Sequence, residues 1–320
     1  MDRRAFVAGA GLVAASLPLR AGAQALGRVF RLAHLANSAA SEDFTRKITL
    51  TELARLGFVE GRNLVFEGRV GQPDALPGLA AELIANKPDA ILSVGPALIA
   101  AGAATKTVPI VAFGFDPIAL GLAASYARPG GNVTGVVILT GEMEAKRLSI
   151  LLEALPDRRR IAALVPPDGR GGNEAALRKA AAALGAELLA FPAGAPGDYP
   201  AAFAAMKAQG AQALIIGATP EFDRDAKQLA DLALATRLPT ICEWSDMAHK
   251  GCMIGYGPGR IALRKRLADL VAQIFRGVPV GEIAIETPTI FEFALNAGVA
   301  RTLDIAIPFA IRASADEVID

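Results

Sequence analysis

Short apolar segments alternate with amphipathic ones through most of the chain, and this alternation constrains the fold more than any other feature. Segments such as Ala90–Val94 and Ala213–Ile216 are uncharged and have the length of a buried strand. The segments between strands place apolar residues at the 3.6-residue spacing of a helix, as in residues 222–233. Strands that alternate with helices form parallel sheets covered on both faces. The sequence therefore predicts an α/β protein.

The same pattern indicates two domains rather than one. The alternation pauses at a predicted helix from Glu142 to Leu155 and then starts again. A chain of 320 residues is also long enough to bury two hydrophobic cores. We therefore expect two doubly wound parallel-sheet lobes side by side. The expected strands are Val29–Leu35, Asn63–Phe66, Ala90–Val94, Ile110–Phe113, Val133–Leu139, Ile161–Val165, Glu187–Phe191, Ala213–Ile216, Thr240–Cys242 and Cys252–Ile254.

The charge of the chain argues against nucleic acid as a partner. Lysines and arginines nearly balance aspartates and glutamates, which leaves a formal net charge of +1. The sequence has no stripe of basic residues interleaved with aromatic ones, the pattern that nucleic-acid surfaces require. A field that attracts a polyanion is therefore not expected.

The first 23 residues have the pattern of an export signal. The arginine pair Arg3–Arg4 precedes an uncharged run, Ala5–Leu19, and an A-x-A cleavage site at Ala21–Ala23. A membrane anchor is the alternative, but Pro18 interrupts the run, which is shorter than the ~20 residues that span a bilayer. Cleavage is therefore expected before Gln24, with the mature chain free in the periplasm. The arginine pair resembles a twin-arginine signal, and an ordinary Sec signal is the alternative.

The motifs of common enzymes and metal sites are missing. The sequence has no G-x-S-x-G, H-E-x-x-H or C-x-x-C motif, and it contains only two histidines, His34 and His249. No strand is followed by a dinucleotide or nucleoside-triphosphate loop, and the glycine-rich run Gly255–Gly259 is interpreted as a flexible crossover between domains. We therefore expect no catalytic residues, no metal and no cofactor. An exported two-domain protein without these features most simply binds a small molecule between its domains.

The two cysteines, Cys242 and Cys252, permit a disulfide in an oxidising compartment. Both fall on predicted core strands, where free buried thiols are also common. The sequence leaves their pairing open.

Several segments, in this order along the chain, carry a resemblance to a known family: Arg31–Ser38, Leu56–Leu64, Asp116–Pro117, Ala127–Gly135 with the string A-R-P-G-G-N-V-T-G, and Ala315–Ile319. The chain resembles the ABC-transporter substrate-binding proteins of the tryptophan/tyrosine-uptake type over essentially its whole mature length. The resemblance implies a type I periplasmic binding fold, in which two lobes joined by three crossing strands close on a small ligand. It also implies a monomer that delivers an amino acid or similar solute to a permease in the inner membrane.

The resemblance places the three crossings near Thr140, Gly257 and Pro288. The N-terminal lobe is then residues 28–140 plus 259–287, and the C-terminal lobe is residues 141–258 plus 288–320.

Asp116 and Pro117 follow a predicted strand and are expected to begin a helix, with Asp116 as its N-cap and as a candidate ligand contact. Arg128–Asn132 would end that helix in a tight turn, whose glycines can adopt a positive φ. This second segment is expected to set geometry rather than to bind ligand.

Other candidate ligand contacts lie at strand ends of the first lobe. Asn37 and Ser38 follow the first strand, and a small-residue turn follows the third. Such a turn usually receives a carboxylate through backbone N–H groups, although this chain has Gly95 where many relatives have a threonine. The candidates in the turn are Ser93, Gly95, Pro96 and Ala97.

The candidates of the second lobe are Asp168, Glu221 and Trp244, each at or after a strand end. Trp244, the only tryptophan, is expected to stack on the ligand, with packing as the alternative. Glu221 could instead cap a helix. Phe115 and Tyr256 are further candidates, for which packing in the core or hinge is the alternative.

Two other functions stay open from the sequence. A periplasmic sensor would bind the same kind of ligand and transmit the signal to a receptor. A doubly wound transferase would use Asp116 or Glu221 as its acid or base.

The leader generates a testable prediction. When the full chain is produced in a Gram-negative host, N-terminal sequencing of the periplasmic form should start at Gln24, because Ala21 and Ala23 supply the small residues that signal peptidase reads. Replacing Ala21 and Ala23 by Leu should leave the leader attached. Changing Arg3 and Arg4 to Lys distinguishes the routes, since it blocks only twin-arginine export. A mature form that starts elsewhere would contradict the predicted site.

Overall fold

The computed structural model describes residues 27–167 and 174–320. The predicted leader and Asp168 lie outside the described residues. Within the described ranges the strands form a five-stranded and a seven-stranded sheet, which confirms the α/β architecture with two lobes. In these ranges no helix combines the length and hydropathy that crossing a membrane requires.

The five-stranded sheet has the order β2-β1-β3-β4-β5, and all of its neighbouring strands are parallel. This sheet and the elements packed on it are called the first lobe. Its strands are β1 (Phe30–Ala36), β2 (Leu64–Val70), β3 (Ala90–Val94), β4 (Ile110–Gly114) and β5 (Val133–Val137).

Helices cover both faces of the first sheet. Leu76, Leu83 and Leu98 pack on one face from α3 and α4. The other face is covered by α1, a π-helical segment (Thr45–Thr49) and α2, together with a helix from later in the chain. The helices of this region are α1 (Ala39–Phe44), α2 (Leu50–Arg55), α3 (Leu76–Ala85) and α4 (Ala97–Ala104).

The seven-stranded sheet has the order β12-β11-β10-β9-β8-β6-β7 and, with the elements packed on it, forms the second lobe. Its pairs are parallel except β10 with β11, which run antiparallel. Its strands are β6 (Arg160–Val165), β7 (Glu187–Pro192), β8 (Ala213–Ile216), β9 (Thr240–Cys242), β10 (Ile254–Pro258), β11 (Phe291–Asn296) and β12 (Glu317–Ile319). Its helices are α5 (Thr140–Ala154), α6 (Glu174–Ala183), α7 (Tyr199–Ala208), α8 (Pro220–Arg224), α9 (Ala226–Ala235), α11 (Ala297–Thr302) and α12 (Phe309–Ser314).

Helix α10 (Arg260–Phe275) follows a strand of the second sheet but packs on the first. Leu267, Leu270 and Val271 are fully buried there, and Phe275 stacks on Phe30 with ring centroids 4.7 Å apart. The chain then returns to the second sheet at β11. It therefore passes between the lobes after β5, after β10 and before β11, as the resemblance implies. The residue at which each lobe ends stays a prediction.

The prediction of a helix after Asp116 is wrong. Residues 117–121 form a turn, and no helix lies between β4 and β5. Asp116 Oδ1 accepts a hydrogen bond from the Ile118 backbone N–H at 2.8 Å, so its side chain caps a turn instead. Gly121 has a φ of +68°, a conformation that a helix excludes. The expected tight turn after Arg128 is present, with Gly130 at a φ of +73°.

The glycine-rich run Gly255–Gly259, which the sequence predicts to be a flexible crossover, is mostly a paired strand that ends where the chain crosses to the first lobe. Most of it belongs to β10, which pairs with β9 and β11. A Cβ at Gly257 would overlap the Glu243 carbonyl oxygen, and one at Gly255 would overlap that of Trp244. The glycines therefore permit close packing beneath the segment after β9.

Cys242 and Cys252 form a disulfide, which answers the question that the sequence left open. The bond joins the end of β9 to the segment before β10, and both cysteines are buried. It closes a short loop that contains Glu243 and Trp244.

The disulfide generates a testable prediction. Changing both Cys242 and Cys252 to Ser should lower the free energy of unfolding by about 2–3 kcal/mol, because the bond restricts the unfolded chain across a short loop. Urea denaturation measures this difference. Dithiothreitol should destabilise the wild type and leave the double variant unchanged. Equal stability of the oxidised wild type and the variant would contradict the prediction.

Candidate functional site

A cavity of about 410 Å³ lies between the two lobes. It is lined by residues that follow the carboxyl ends of strands in both sheets, the edge at which doubly wound proteins bind ligands. Its volume suits a small organic molecule. Apolar side chains dominate the lining, including Phe44, Phe113, Phe115, Ile138, Pro166, Pro167 and Trp244.

Most of the ligand contacts predicted from the sequence line this cavity. These residues come from five strand ends and from both lobes, so the fold brings together positions that are far apart in the chain. Their contact with a ligand stays a prediction. They are Asn37, Ser38, Gly95, Pro96, Phe115, Glu221 and Trp244.

Ser93, Ala97, Asp116 and Tyr256 do not line the cavity. Ser93 and Ala97 are fully buried beneath the turn that joins β3 to α4. The carboxylate of Asp116 accepts hydrogen bonds from the turn that it caps and from Tyr126 Oη, at 2.9 Å. The Tyr256 ring stacks on the Phe291 ring, on the core side of the second sheet.

Thr219, and not Glu221, is the N-cap of helix α8. Thr219 Oγ1 accepts a hydrogen bond from the Phe222 backbone N–H at 3.2 Å, at the N-terminus of α8. No ion pair involves Glu221 within the described parts of the chain. Its carboxylate therefore lines the cavity with no cation of the described residues paired to it.

Arg260, the first residue of α10, joins the two lobes across the cavity. Its Nη2 lies 2.8 Å from Asp223 Oδ1 and its Nη1 lies 3.5 Å from Asp246 Oδ2. The guanidinium carbon is 4.4 Å from the Trp244 ring and 5.2 Å from the Phe44 ring. The tryptophan that the sequence predicts to stack on ligand thus has a cation over one face.

Arg264 lines the same cavity one turn later on α10 and is only 6% exposed. Its Nη1 donates to Thr45 Oγ1 at 3.1 Å and its Nη2 donates to Ser41 Oγ at 3.2 Å. No carboxylate of residues 27–167 or 174–320 lies within ion-pair distance of it. Burial, followed by the nearby Arg260, lowers the pKa of Arg264 to about 9.

Glu243 follows β9 and lines the cavity. The buried guanidinium of Arg147 acts on its charge. Burial raises the pKa of Glu243 to about 7, although the positive charges of Arg147 and Arg260 oppose this shift. Arg147 is fully buried and donates from Nε to the Tyr256 carbonyl oxygen at 3.1 Å. Burial also lowers the pKa of Arg147.

His34 is fully buried behind Arg264 and does not line the cavity. Its Nε2 lies 3.2 Å from Thr45 Oγ1. Burial, together with Arg264 and Arg46, lowers its pKa to about 3, so the ring is neutral at physiological pH. His249 lies on the surface beside Glu317. In the described chain no cluster of His, Cys, Asp and Glu could hold a metal ion.

The sequence interpretation missed Arg260 and Arg264. A signal for them exists: both fall on the apolar face of α10, in register with the buried Leu263 and Leu267. Arginines on a buried helix face require either a partner or a ligand. The missed aromatic residues are Phe44, Phe113 and Phe222.

A model of the family described as "ABC transporter substrate binding protein" matches residues 39–319. The chain belongs to this family. The resemblance inferred from the sequence is thereby confirmed, and the cavity between the lobes is where a protein of this family is expected to hold its substrate. Substrate-binding proteins of ABC transporters act outside the cytoplasm.

Individual relatives are consistent with the assignment. A tyrosine-binding protein from Clostridioides difficile is 32% identical over 99 residues, which cover 30% of this chain and 29% of that protein. The match therefore spans less than a third of the relative's length. Among solved structures, a conserved domain protein from Vibrio cholerae has a TM-score of 0.83 and 24% identity, covering 91% of this chain and 100% of that one.

A second solved structure is the ABC domain in complex with L-Trp from Streptococcus pneumonia. It has a TM-score of 0.79 and 19% identity, with 90% of this chain and 100% of that chain covered. At these identities the two structures establish the fold alone, and they confirm the type I periplasmic binding architecture.

Glu243 generates a testable prediction. Its pKa is near 4.5 in a solvated chain and about 7 in the folded protein. Between these values the folded state binds more protons than the unfolded state, so the free energy of unfolding decreases as the pH rises through this window. Glu243→Gln removes this dependence. Relative to the wild type, the variant should therefore be more stable at about pH 8 than at about pH 5 in urea denaturation.

Glu153→Gln, at an exposed glutamate of α5, is the matched control for the loss of a carboxylate. A stability difference between wild type and Glu243→Gln that stays constant across this pH range would contradict the assigned environment of Glu243.

Proposed function

We propose that this protein is the periplasmic receptor of an ABC importer and that it captures an aromatic amino acid between its lobes. The observation that carries the proposal is a cavity lined by both lobes, in which aromatic rings lie beside charged groups of both signs. The tyrosine-binding relative and the L-Trp complex support the choice of an aromatic amino acid. The proposed partner is a permease in the inner membrane, and the receptor acts as a monomer.

Capture would proceed by closure of the hinge. Three chain segments connect the lobes, and a ligand that contacts both lobes favours the closed state over the open one. The proposed contacts of the first lobe are Asn37, Ser38, Gly95, Pro96 and Phe115. Those of the second lobe are Glu221 and Trp244.

The proposed function does not include catalysis. Acid–base chemistry in the cavity would depend on Glu221, Asp223 and Glu243, since neither histidine lines it. Asp223 is paired with Arg260 and Lys250. On this proposal the solute leaves the protein unchanged, which distinguishes a receptor from a transferase.

The single tryptophan provides a direct test. Trp244 lines the cavity, so a solute that binds there should change its fluorescence when excitation is restricted to tryptophan. L-Tyrosine and L-phenylalanine should produce a saturable change, whereas ribose and inositol should not. The same amino acids should raise the melting temperature, since a ligand at a hundredfold excess over Kd stabilises a protein by about 2.7 kcal/mol.

Trp244→Phe preserves most of the packing and should weaken binding in the thermal assay. Tyr256→Phe, which alters a ring outside the cavity, is the matched control. Mass spectrometry of the solute after incubation should recover it intact. Conversion of the solute, or stabilisation only by non-amino-acid solutes, would contradict the corresponding part of the proposal.

A further inference from the structure

The two arginines of α10 that line the cavity have different electrostatic environments. Arg260 has two carboxylates within ion-pair distance, those of Asp223 and Asp246. Arg264, one helical turn away, has none within the described part of the chain. The two residues are of the same type, lie on the same helix and line the same cavity. Their electrostatic environments therefore differ because of the groups that surround each guanidinium.

An unpaired charge at such a buried position is unfavourable. Transfer of a cation from water into a protein interior costs free energy unless hydrogen bonds and an opposite charge compensate for it. Arg264 receives partial compensation from the hydroxyl groups of Ser41 and Thr45 and from the Phe113 ring, 4.7 Å from its guanidinium carbon. Its charged neighbour in the cavity, Arg260, is of the same sign. Within the described residues the charge of Arg264 is thus only partly compensated, and no carboxylate contributes to that compensation.

The guanidinium has more N–H groups than these two hydrogen bonds use. Each bond takes one donor from an Nη nitrogen, and both acceptors are neutral hydroxyls. The Phe113 ring packs on the face of the guanidinium, which leaves its edge for an acceptor in the cavity. A carboxylate matches the geometry of that edge, because two parallel N–H···O bonds can form.

The turn after β3, which the sequence suggests as the carboxylate site, is poor in donors. The Gly95 backbone N–H donates to the Phe113 carbonyl oxygen at 2.9 Å. Pro96 has no N–H group, and this chain has no hydroxyl at position 95. An anionic group in the cavity would therefore find better donors on α10 than in this turn.

We infer that Arg264 anchors a carboxylate of the solute, so that the cargo of this receptor is an organic acid. The inference rests on the proposed function, because it requires a solute in the cavity. For an amino acid, the ammonium group then faces Glu221 of the second lobe, whose carboxylate has no ion pair in the described ranges. These two charges, neither of which has an ion-pair partner among the residues described, belong to different lobes, and a zwitterion between them favours closure.

Isothermal titration calorimetry with three ligands tests the inference. L-Tryptophan has both charged groups, tryptamine lacks the carboxylate, and the desamino acid lacks the ammonium group. The wild type should bind tryptamine about 30-fold or more weakly than L-tryptophan, because tryptamine leaves the buried cation unpaired. Arg264→Gln should weaken L-tryptophan and the desamino acid by a similar factor, and should change tryptamine binding by less than about threefold.

Two further variants separate anchoring from folding. Arg264→Lys keeps the positive charge but not the planar fork, and should recover part of the lost affinity for both acids. Arg266→Gln is the matched control on the same helix. Arg266 lies outside the cavity, is paired with Glu286 and should be replaceable without a change in affinity. Two results would overturn the inference. In one, the Arg264→Gln variant binds L-tryptophan with the affinity of the wild type. In the other, its affinities for L-tryptophan and tryptamine decrease by the same factor.

A second panel distinguishes this inference from the proposed function. If no aromatic amino acid binds, the wild type is screened against aliphatic carboxylic acids and against their amides and alcohols. Binding of an acid that Arg264→Gln abolishes supports the anchor and rejects the aromatic amino acid. Binding of a neutral solute that Arg264→Gln does not affect rejects the anchor and retains the receptor. No binding by any compound counts against both.

Discussion

The packing of α10 on the first sheet is the interaction on which the rest of the structure depends. This helix leaves the second lobe at β10 but buries Leu267, Leu270 and Val271 against the first. Complete burial of each such side chain contributes about 1.5–3 kcal/mol, so detachment of the helix is strongly unfavourable. The two sheets therefore cannot separate as independent domains. They can move only about the segments that connect them, and the cavity lies between them at a position that the helix determines.

The same packing explains the charges of the cavity. In the first turns of α10, Arg260 and Arg264 accompany Leu263 on the apolar face, and both arginines line the cavity. Carboxylates of the second lobe compensate Arg260 and thereby connect the lobes. Arg264 has no ion pair with those carboxylates, and among the described residues its guanidinium contacts hydroxyl groups and aromatic rings. One helix thus supplies both a link between the lobes and a cation that has no carboxylate partner in the part of the chain that the structure describes.

Much of the fold could be predicted because its signals are local. The strands Ala90–Val94, Ala213–Ile216 and Thr240–Cys242 occur at the predicted residues, since each is a short apolar run between helical segments. Local signals also caused the errors. Asp116–Pro117 is a typical helix start, but the residues that follow include Gly121 at a positive φ and do not continue the helix. Gly255–Gly259 resembles a flexible loop, whereas its glycines serve contacts with the segment after β9, which no local pattern reveals.

The sequence by itself determined the class of fold, the strand ends that line the cavity and the family, because strand length, helical spacing and short motifs are properties of neighbouring residues. Only the tertiary structure decided which charges meet in the cavity. Arg264 lies more than two hundred residues from Ser41 and Thr45 in the chain, at separations of 223 and 219. Whether a buried arginine finds a carboxylate or only hydroxyl groups depends on the folding of both lobes around it. The electrostatics of a buried site are set by such distant neighbours, whose positions no stretch of sequence specifies alone.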